Sequence, residues 1–322
     1  LGLLEKQVKQ IFLAWGKMYR ELKPKHIIFA ADNGVVWSGA AAQPPEITYL
    51  QTKNMVDGLA AVSCFCNCNN IPYEVVDVGI DSPDAVGLNY KIRQGTRNFA
   101  VEPAMTEEEV RRALDIGRER VEFAGHMGYN LLSFGEMGIG NTTTSAAVLT
   151  ALSPTHAALI VGYGSSRGNY KLMCRKEKLI ADALREYGPM IKGPVDALRY
   201  MGGFDLAAIC GAMLACVKAH IPFYVDGFIT AAALVCAVQL NDEVRRYALL
   251  SHLSREAGMA VALRTVGMDE SQIPIHGELS LGEGTGAVLA VSLIQSMMYA
   301  IWHMGTLDNV NESAERRRKG GE

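Results

Sequence analysis

Apolar side chains recur at helical spacing where the chain opens. In "LGLLEKQVKQIFLAWGKMYREL" the residues Leu4, Val8, Ile11, Phe12, Trp15 and Tyr19 form one stripe and predict an amphipathic helix. The period then changes. "KHIIFAAD" is a short apolar run that reads as a buried strand entering "NGVV", and a helix is expected from Gln51. "YEVVDVGID" (73–81) predicts a second strand, and "NLLSFGEMGIG" a strand and loop leading into the helix "NTTTSAAVLTAL". "AALIVGYG" reads as another strand ending in a loop. "GGFDLAAICGAMLACVKAH" follows as a helix, "PFYVDGF" as a strand, and a further helix is expected from near Ile229. There is no internal repeat and no low-complexity linker.

Strands alternating with helices predict an α/β fold: three layers, with a largely parallel sheet between helices on both faces. In such folds ligands sit beyond the carboxyl ends of the strands, where the chain enters the next helix. The loops "ADNG", "GEMGIGNTT", "GYGSS", "DGF" and "GEGTG" all fall at such places.

Composition narrows the picture. The 322 residues are 49% hydrophobic and 20% charged, with a formal net charge of −3, which speaks against a broad nucleic-acid-binding face. The basic run "ERRRKGGE" (315–322) reads as a frayed terminus. Seven cysteines, an odd number, read as reduced thiols of a cytoplasmic protein. Cys64, Cys66 and Cys68 are clustered in "CFCNCN", but on a helix Cys66 points away from the other two, so they are expected as buried or semi-buried structural residues and not a metal site. The nearest candidate for a membrane span, "FITAAALVCAVQL" (228–240), is too short and reads as a buried helix, so no membrane partner is expected.

Candidate chemistry concentrates in glycine loops. "GEMGIGNTTTS" (135–145) offers Gly138 and Gly140 for close backbone approach and Asn141 and Thr142 at a helix start, a setting that suits phosphate. No lysine follows its last glycine, so it is not a P-loop. "VGYGSSRGNYKLMCRKEK" (161–178) adds Gly162, Gly164, Ser165 and Ser166 beside Arg175, Lys176 and Lys178; most of these cations read as a solvated face, with one available to neutralise a phosphate. "SHLSREAG" (251–258) places Ser251 and Ser254 at a helix entrance, and His252 reads as structural. "LGEGTGA" (281–287) sets a carboxylate, Glu283, inside a glycine-rich turn between Gly282 and Gly284, and Glu136 sits in a loop of similar make-up. There is no G-x-S-x-G elbow and no H-E-x-x-H helix, so neither nucleophilic nor metal catalysis is favoured. Glutamates embedded in phosphate-friendly loops suit chemistry on a phosphorylated sugar whose acceptor loses a proton as it attacks.

Taken in order, "FAADNGV", "YEVVDVGID", "GEMGIGNTT", "GGFDLAAICGAMLA", "VDGFITAAAL", "LLSHLSREAG" and "LGEGTGAVLA" resemble the nicotinate-nucleotide–dimethylbenzimidazole phosphoribosyltransferase family over nearly the whole chain. The resemblance implies transfer of the 5-phosphoribosyl group from nicotinate mononucleotide to an aromatic base, releasing nicotinate and inverting the anomeric linkage from β to α, for the lower ligand of cobamides. It implies Glu283 as general base, Glu136 as the second functional glutamate and Lys176 as the nearest match to the family's lysine. Phosphate and ribose contacts are expected from Gly138, Gly140, Asn141, Thr142, Gly162, Gly164, Ser165, Ser251, Gly282 and Gly284. An acceptor pocket is expected from Ala31, Asp32, Asn33, Trp37, Met137 and Leu281. No cofactor and no metal are implied. The family pattern adds a smaller helical domain, expected here from 1–20 and 301–322 beside a large catalytic domain at 21–300, and a dimer of like or related chains. It also carries a "KP-x-GSLG" segment before "LGLLE", so a clipped amino terminus is expected.

The chain departs from the pattern near the acceptor. Asn33 stands where the family commonly has histidine in "DHGV", and "VWSGAAAQPPEIT" brings alanines where "GVSAYPQEVT" is usual. Some relatives, working as paired unlike subunits, ribosylate phenol or p-cresol, so a phenolic acceptor stays open beside 5,6-dimethylbenzimidazole. Two rivals remain. An enzyme using the pyrophosphate-activated sugar with magnesium would need adjacent acids and a T-G-x-T-type loop, of which "FYVDGFITAAAL" supplies one Asp. A non-catalytic subunit completing a partner's site would have no need of both glutamates.

Overall fold

The computed structural model describes residues 2–19, 21–162 and 168–319. The first half runs α1 (Leu3–Trp15), β1 (Pro24–Ala31), α2 (Glu46–Val56), α3 (Ala61–Cys68), β2 (Tyr73–Gly79), β3 (Leu88–Asn89), α4 (Glu107–His126), β4 (Leu131–Met137) and α5 (Asn141–Leu152). It continues with α6 (Tyr170–Tyr187), α7 (Pro194–Met201), α8 (Phe204–Ala219), β5 (Phe223–Val225), α9 (Phe228–Leu240), β6 (Ala248–Leu250), α10 (Gly258–Thr265), α11 (Thr285–His303) and α12 (Leu307–Lys319).

The strands form one six-stranded sheet in the order β3-β2-β1-β4-β5-β6, every pair parallel. This is the doubly wound order, and its topological switch lies between β1 and β4. Alternate residues of each strand feed opposite faces. Ile27, Phe29, Phe134, Phe223 and Val225 join a core with α4, α5, α8 and α9. Ile28, Ala30, Leu131 and Tyr224 join a second core with α1, α3 and α11. Burial on both faces explains why the strands read as continuous apolar runs.

Several boundaries differ from the sequence pattern. The opening helix stops at Trp15, where Gly16 takes a left-handed conformation at φ 65°, so Tyr19 lies beyond it. The helix expected from Gln51 begins earlier, at Glu46, after Pro45, whose fixed φ suits a helix start. The described part of "AALIVGYG", 157–162, is not a strand. Ala157–Leu159 forms a 3-10 turn, Ile160 and Val161 are buried in the first core, and the sixth strand is Ala248–Leu250 instead. An apolar run this short satisfies a buried loop as well as a strand. Cys66 is buried as expected, but Cys64, Cys68 and Cys174 are exposed; all are free. No group of metal-ligating side chains occurs among the described residues.

The helix long and apolar enough to cross a membrane is α11, not the "FITAAALVCAVQL" helix α9, and half of its apolar window is buried. Its inner face, with Val288, Val291 and Ile294, covers the sheet, which accounts for its hydropathy as a core helix.

α4 and α8 cross almost backbone to backbone. A Cβ on Gly117 would lie 1.9 Å from the Ala208 carbonyl oxygen, and one on Gly211 would lie 2.0 Å from that of Leu114. We predict that Gly117→Val lowers unfolding stability by about 1–3 kcal/mol, the usual cost of forcing volume into a packed crossing. Urea midpoints read this directly, and an unchanged midpoint would contradict the packing described.

Candidate active site

A cleft of about 400 Å³ opens at the carboxyl ends of the strands. The starts of α5, α9 and α11 all reach it, through 138–142, Gly227–Thr230 and Gly282–Glu283. Ala40–Gln43, Ile47 and Gln51 border it from the segment after β1 and from α2, Lys176 from α6, and His252, Ser254 and Glu256 from the chain after β6. The switch point of the sheet therefore opens into this cleft.

Glu283 owes its place to a strained turn. It is a non-glycine residue at φ 64°, between Gly282 at φ 84° and Gly284 at φ 92°, in a region that costs an ordinary side chain energy and persists only when its surroundings enforce it. Contact with the sheet enforces it. A Cβ on Gly284 would lie 2.2 Å from the His26 ring, and one on Gly135 would lie 2.1 Å from the Glu283 carbonyl oxygen. His26 Nε2 lies 3.3 Å from that carbonyl, and its Nδ1 lies 2.8 Å from the Ser133 hydroxyl. Burial pushes the His26 ring down to about 4, so it is neutral near pH 7. Because a carbonyl only accepts, the ring proton belongs on Nε2, and Nδ1 accepts from Ser133. The Glu283 carboxylate accepts from Gln51 Nε2 at 2.6 Å and from the Val62 amide at 3.3 Å.

Glu136 closes β4 and is linked to that turn: the Glu283 amide donates to its Oε1 at 3.3 Å, while the Asn141 side-chain amide donates to its Oε2. Burial, followed by the nearby Asp205 charge, pushes the Glu136 carboxyl up to about 8, so the cleft holds it protonated near neutrality.

Three amides in and just after the "GEGTG" turn are engaged. Thr285 N–H serves the Gly282 carbonyl, Glu283 N–H serves Glu136, and Ala287 N–H donates to Asp226 Oδ1 at 2.8 Å. Asp226 thus sits at the positive start of α11, a position an anion would take, and it competes there with the phosphate grip expected of Gly282 and Gly284. The start of α5 differs: Lys176 Nζ donates to Thr142 Oγ1 at 3.1 Å beside Gly138 and Gly140. Burial draws the Lys176 ammonium downward, and Glu256 partly offsets this. A helix start, a hydroxyl and an ammonium together make an anion site.

Of the residues singled out from sequence, Glu283, Glu136, Lys176, Gly138, Gly140, Asn141, Thr142, Gly282, Met137 and Leu281 line this cleft. Others do not. Ser251 is fully buried, its hydroxyl donating to the Val225 carbonyl at 2.7 Å. Gly162 faces Glu256, whose Oε2 would be 1.9 Å from an added Cβ. Ala31, Asp32 and Asn33 are buried beside the cleft; Asp32 accepts from the Asp81 amide at 2.7 Å and Asn33 from the Thr144 hydroxyl at 3.2 Å. Trp37 lies in a 3-10 turn, Gly34–Ser38, that leaves it 70% exposed. Gly164 and Ser165 lie outside the described residues. Gln51, Asp226, Glu256 and His26 were not singled out, and His252, read as purely structural, borders the cleft 3.7 Å from Asp226. The carboxylate at a strand end in "VDGF" was the one signal that pointed to Asp226.

A phosphoribosyltransferase family model matches residues 1–311. The chain is 36% identical to the nicotinate-nucleotide–dimethylbenzimidazole phosphoribosyltransferase of Clostridium perfringens, over 97% of this chain and 86% of that one. It is 37% identical to the enzyme of that name from Cupriavidus necator, over 97% and 90%. The chain belongs to this phosphoribosyltransferase family. The crystal structure of CobT from Thermus thermophilus superposes with a TM-score of 0.87 at 36% identity, covering 96% of this chain and 92% of that one. Membership makes the protein an enzyme of the pentosyltransferase type, and its three-layer α/β architecture is that of the family.

Protonated Glu136 has a consequence for stability. Its folded value, about 8, lies above the ordinary 4.5, so the stability it contributes is full below the lower value and is lost as pH rises through the upper one. We predict that Glu136→Gln, which mimics the protonated acid, flattens the decline in unfolding free energy across that window. Chemical denaturation at stepped pH measures it, and a decline as steep as in the parent would refute the assignment.

Proposed function

We propose that the cleft transfers the 5-phosphoribosyl group from nicotinate mononucleotide to an aromatic lower-ligand base, releasing nicotinate and leaving an α-linked ribotide for cobamide assembly. The single observation that carries this reading is that two carboxyls, Glu283 and Glu136, are joined through one backbone hydrogen bond in the same cleft as the Lys176–Thr142 anion site. The 5-phosphate lies at Lys176, Thr142 and the start of α5. Glu283 takes the proton of the incoming base, either the ring N–H of 5,6-dimethylbenzimidazole or the hydroxyl of a phenol. Nicotinate leaves as a neutral ring because its nitrogen is cationic in the nucleotide, and positive charge develops at the ribose. Beside that cation the Glu136 carboxyl favours its ionised form, giving its proton to solvent, and lends the sugar negative charge. Met137, Leu281 and the small side chains Ala40–Ala42 form the acceptor side.

The enzyme acts in the cytoplasm as a dimer of like or related chains, with the chain-end helices as a smaller unit. Exposed apolar residues at those ends, including Leu13, Tyr299, Met304 and Leu307, support a covered surface there. The presence of both glutamates in one cleft speaks against a merely completing subunit.

Incubation of the pure protein with nicotinate mononucleotide and a panel of benzimidazoles, purines and phenols tests the reaction, with nicotinate release as the readout. We predict that Glu283→Gln lowers turnover by at least about 10²-fold, the usual worth of general-base help, while nucleotide binding by calorimetry stays within a few-fold. We further predict that Lys176→Met raises KM for the nucleotide more than it lowers kcat. Near-normal turnover in Glu283→Gln would remove that residue from the mechanism, and an unchanged KM in Lys176→Met would move the phosphate elsewhere.

A further inference from the structure

Beneath the cleft, outside its lining, lies a carboxyl that the mechanism above does not use. Asp205, in the first turn of α8, is completely buried. Its Oδ2 accepts from Asn141 Nδ2 at 3.1 Å, and the same nitrogen donates to Glu136 Oε2. A side-chain amide has two hydrogens, and here both go to carboxyls. Asp205 Oδ1 has no hydrogen-bond partner among the described residues. The site is closely fitted: a Cβ on Gly203 would lie 2.5 Å from Asp205 Oδ1, and one on Gly138 would lie 3.1 Å from Oδ2.

We propose that Asp205 is a positioning residue that anchors Asn141 against Glu136 and, by carrying the negative charge of the pair, keeps the Glu136 carboxyl protonated until a nucleotide arrives. The inference rests on the phosphoribosyl-transfer reading of the cleft. Two buried carboxyls bridged by one neutral amide cannot both ionise cheaply, so they titrate as a coupled pair. Burial raises both, Asp205 to about 6 and Glu136 to about 8, and the Asn141 amide, followed by the backbone amides that open α8, holds Asp205 the lower of the two. Near neutrality the one negative charge therefore rests on Asp205, one layer below the cleft.

This placement suits the substrate. Nicotinate mononucleotide brings a phosphate and a carboxylate into a cleft that already contains Asp226, Glu283 and Glu256. An ionised Glu136 would add repulsion at entry, whereas a protonated one does not. The other charged or titratable groups near the pair are Lys176 from α6 and His252 after β6, both on the cleft, and Asp32 at the end of β1, which raises Asp205 further. None of them bridges the two carboxyls.

The test is the pH profile of kcat/KM for nicotinate mononucleotide in Asp205→Asn and Asp205→Ser, with folding checked by circular dichroism. Both variants remove the like charge, so the alkaline limb governed by Glu136 moves to lower pH by about one unit or more, while kcat on the acid side stays within a few-fold. A uniform loss of activity with the limb in place would mean that Asp205 is only structural and would overturn the proposal, as would a shift to higher pH. Carbon-13 NMR of labelled carboxyls in the parent protein gives a readout that needs neither variant nor turnover. Glu136 and Asp205 are expected to titrate in two linked steps, and independent single steps would overturn the coupling. If the parent released no nicotinate with any base, the functional reading would fail while this titration still decided the pair.

Discussion

The site depends on one close contact, the press of the left-handed turn at Gly282–Gly284 against β1 and β4. Gly135 has no side chain because the Glu283 carbonyl occupies that space, and Gly284 has none because the His26 ring does. A neutral histidine buried in the sheet then holds that carbonyl. The turn cannot relax without losing this bond, and so a residue that would ordinarily avoid φ 64° stays there. Gln51 and the Val62 amide fix the side chain from the opposite part of the sequence. The Glu283 carboxyl is thus held by the parallel sheet itself, not by a free loop.

The same sheet brings the remaining groups together. The crossing order places β1 beside β4, and the chain leaving β4 delivers Glu136 and Asn141 within a few residues of each other. β5 delivers Asp226 to the start of α11, and α6 brings Lys176 to Thr142. Anion-binding capacity is therefore unequal across the cleft. A cation, Lys176, stands at the start of α5, and a carboxyl, Asp226, stands at that of α11.

Much of this was legible in the sequence. The α/β alternation, the strands at 24–31, 73–79 and 131–137 and the glutamates in glycine loops all follow from period and turn chemistry. Glu283 and Glu136 could be singled out because each sits in a glycine loop of unusual make-up, and Lys176 only through the family resemblance, since its neighbours read as a solvated cationic face. Gln51 and Val62 could not, since their meeting with Glu283 spans 232 and 221 residues and leaves no local trace. His26 looks like any polar residue in an apolar strand until the sheet pairs it with Ser133. Ser251 at a helix entrance has the same appearance whether its hydroxyl faces a ligand or, as here, the carbonyls of β5. Trp37 and Asn33 were placed in the acceptor pocket by the family resemblance, but one turn of 3-10 helix sends the first outward, and the second accepts from Thr144.

Asp226 at the head of α11 has a further consequence for stereochemistry. On the proposed reading, a substrate whose phosphate is drawn to Lys176 and repelled near Asp226 has a reason to lodge in one sense rather than the reverse. The orientation of the sugar would then be set at docking, by a carboxyl that takes no part in the bond being made.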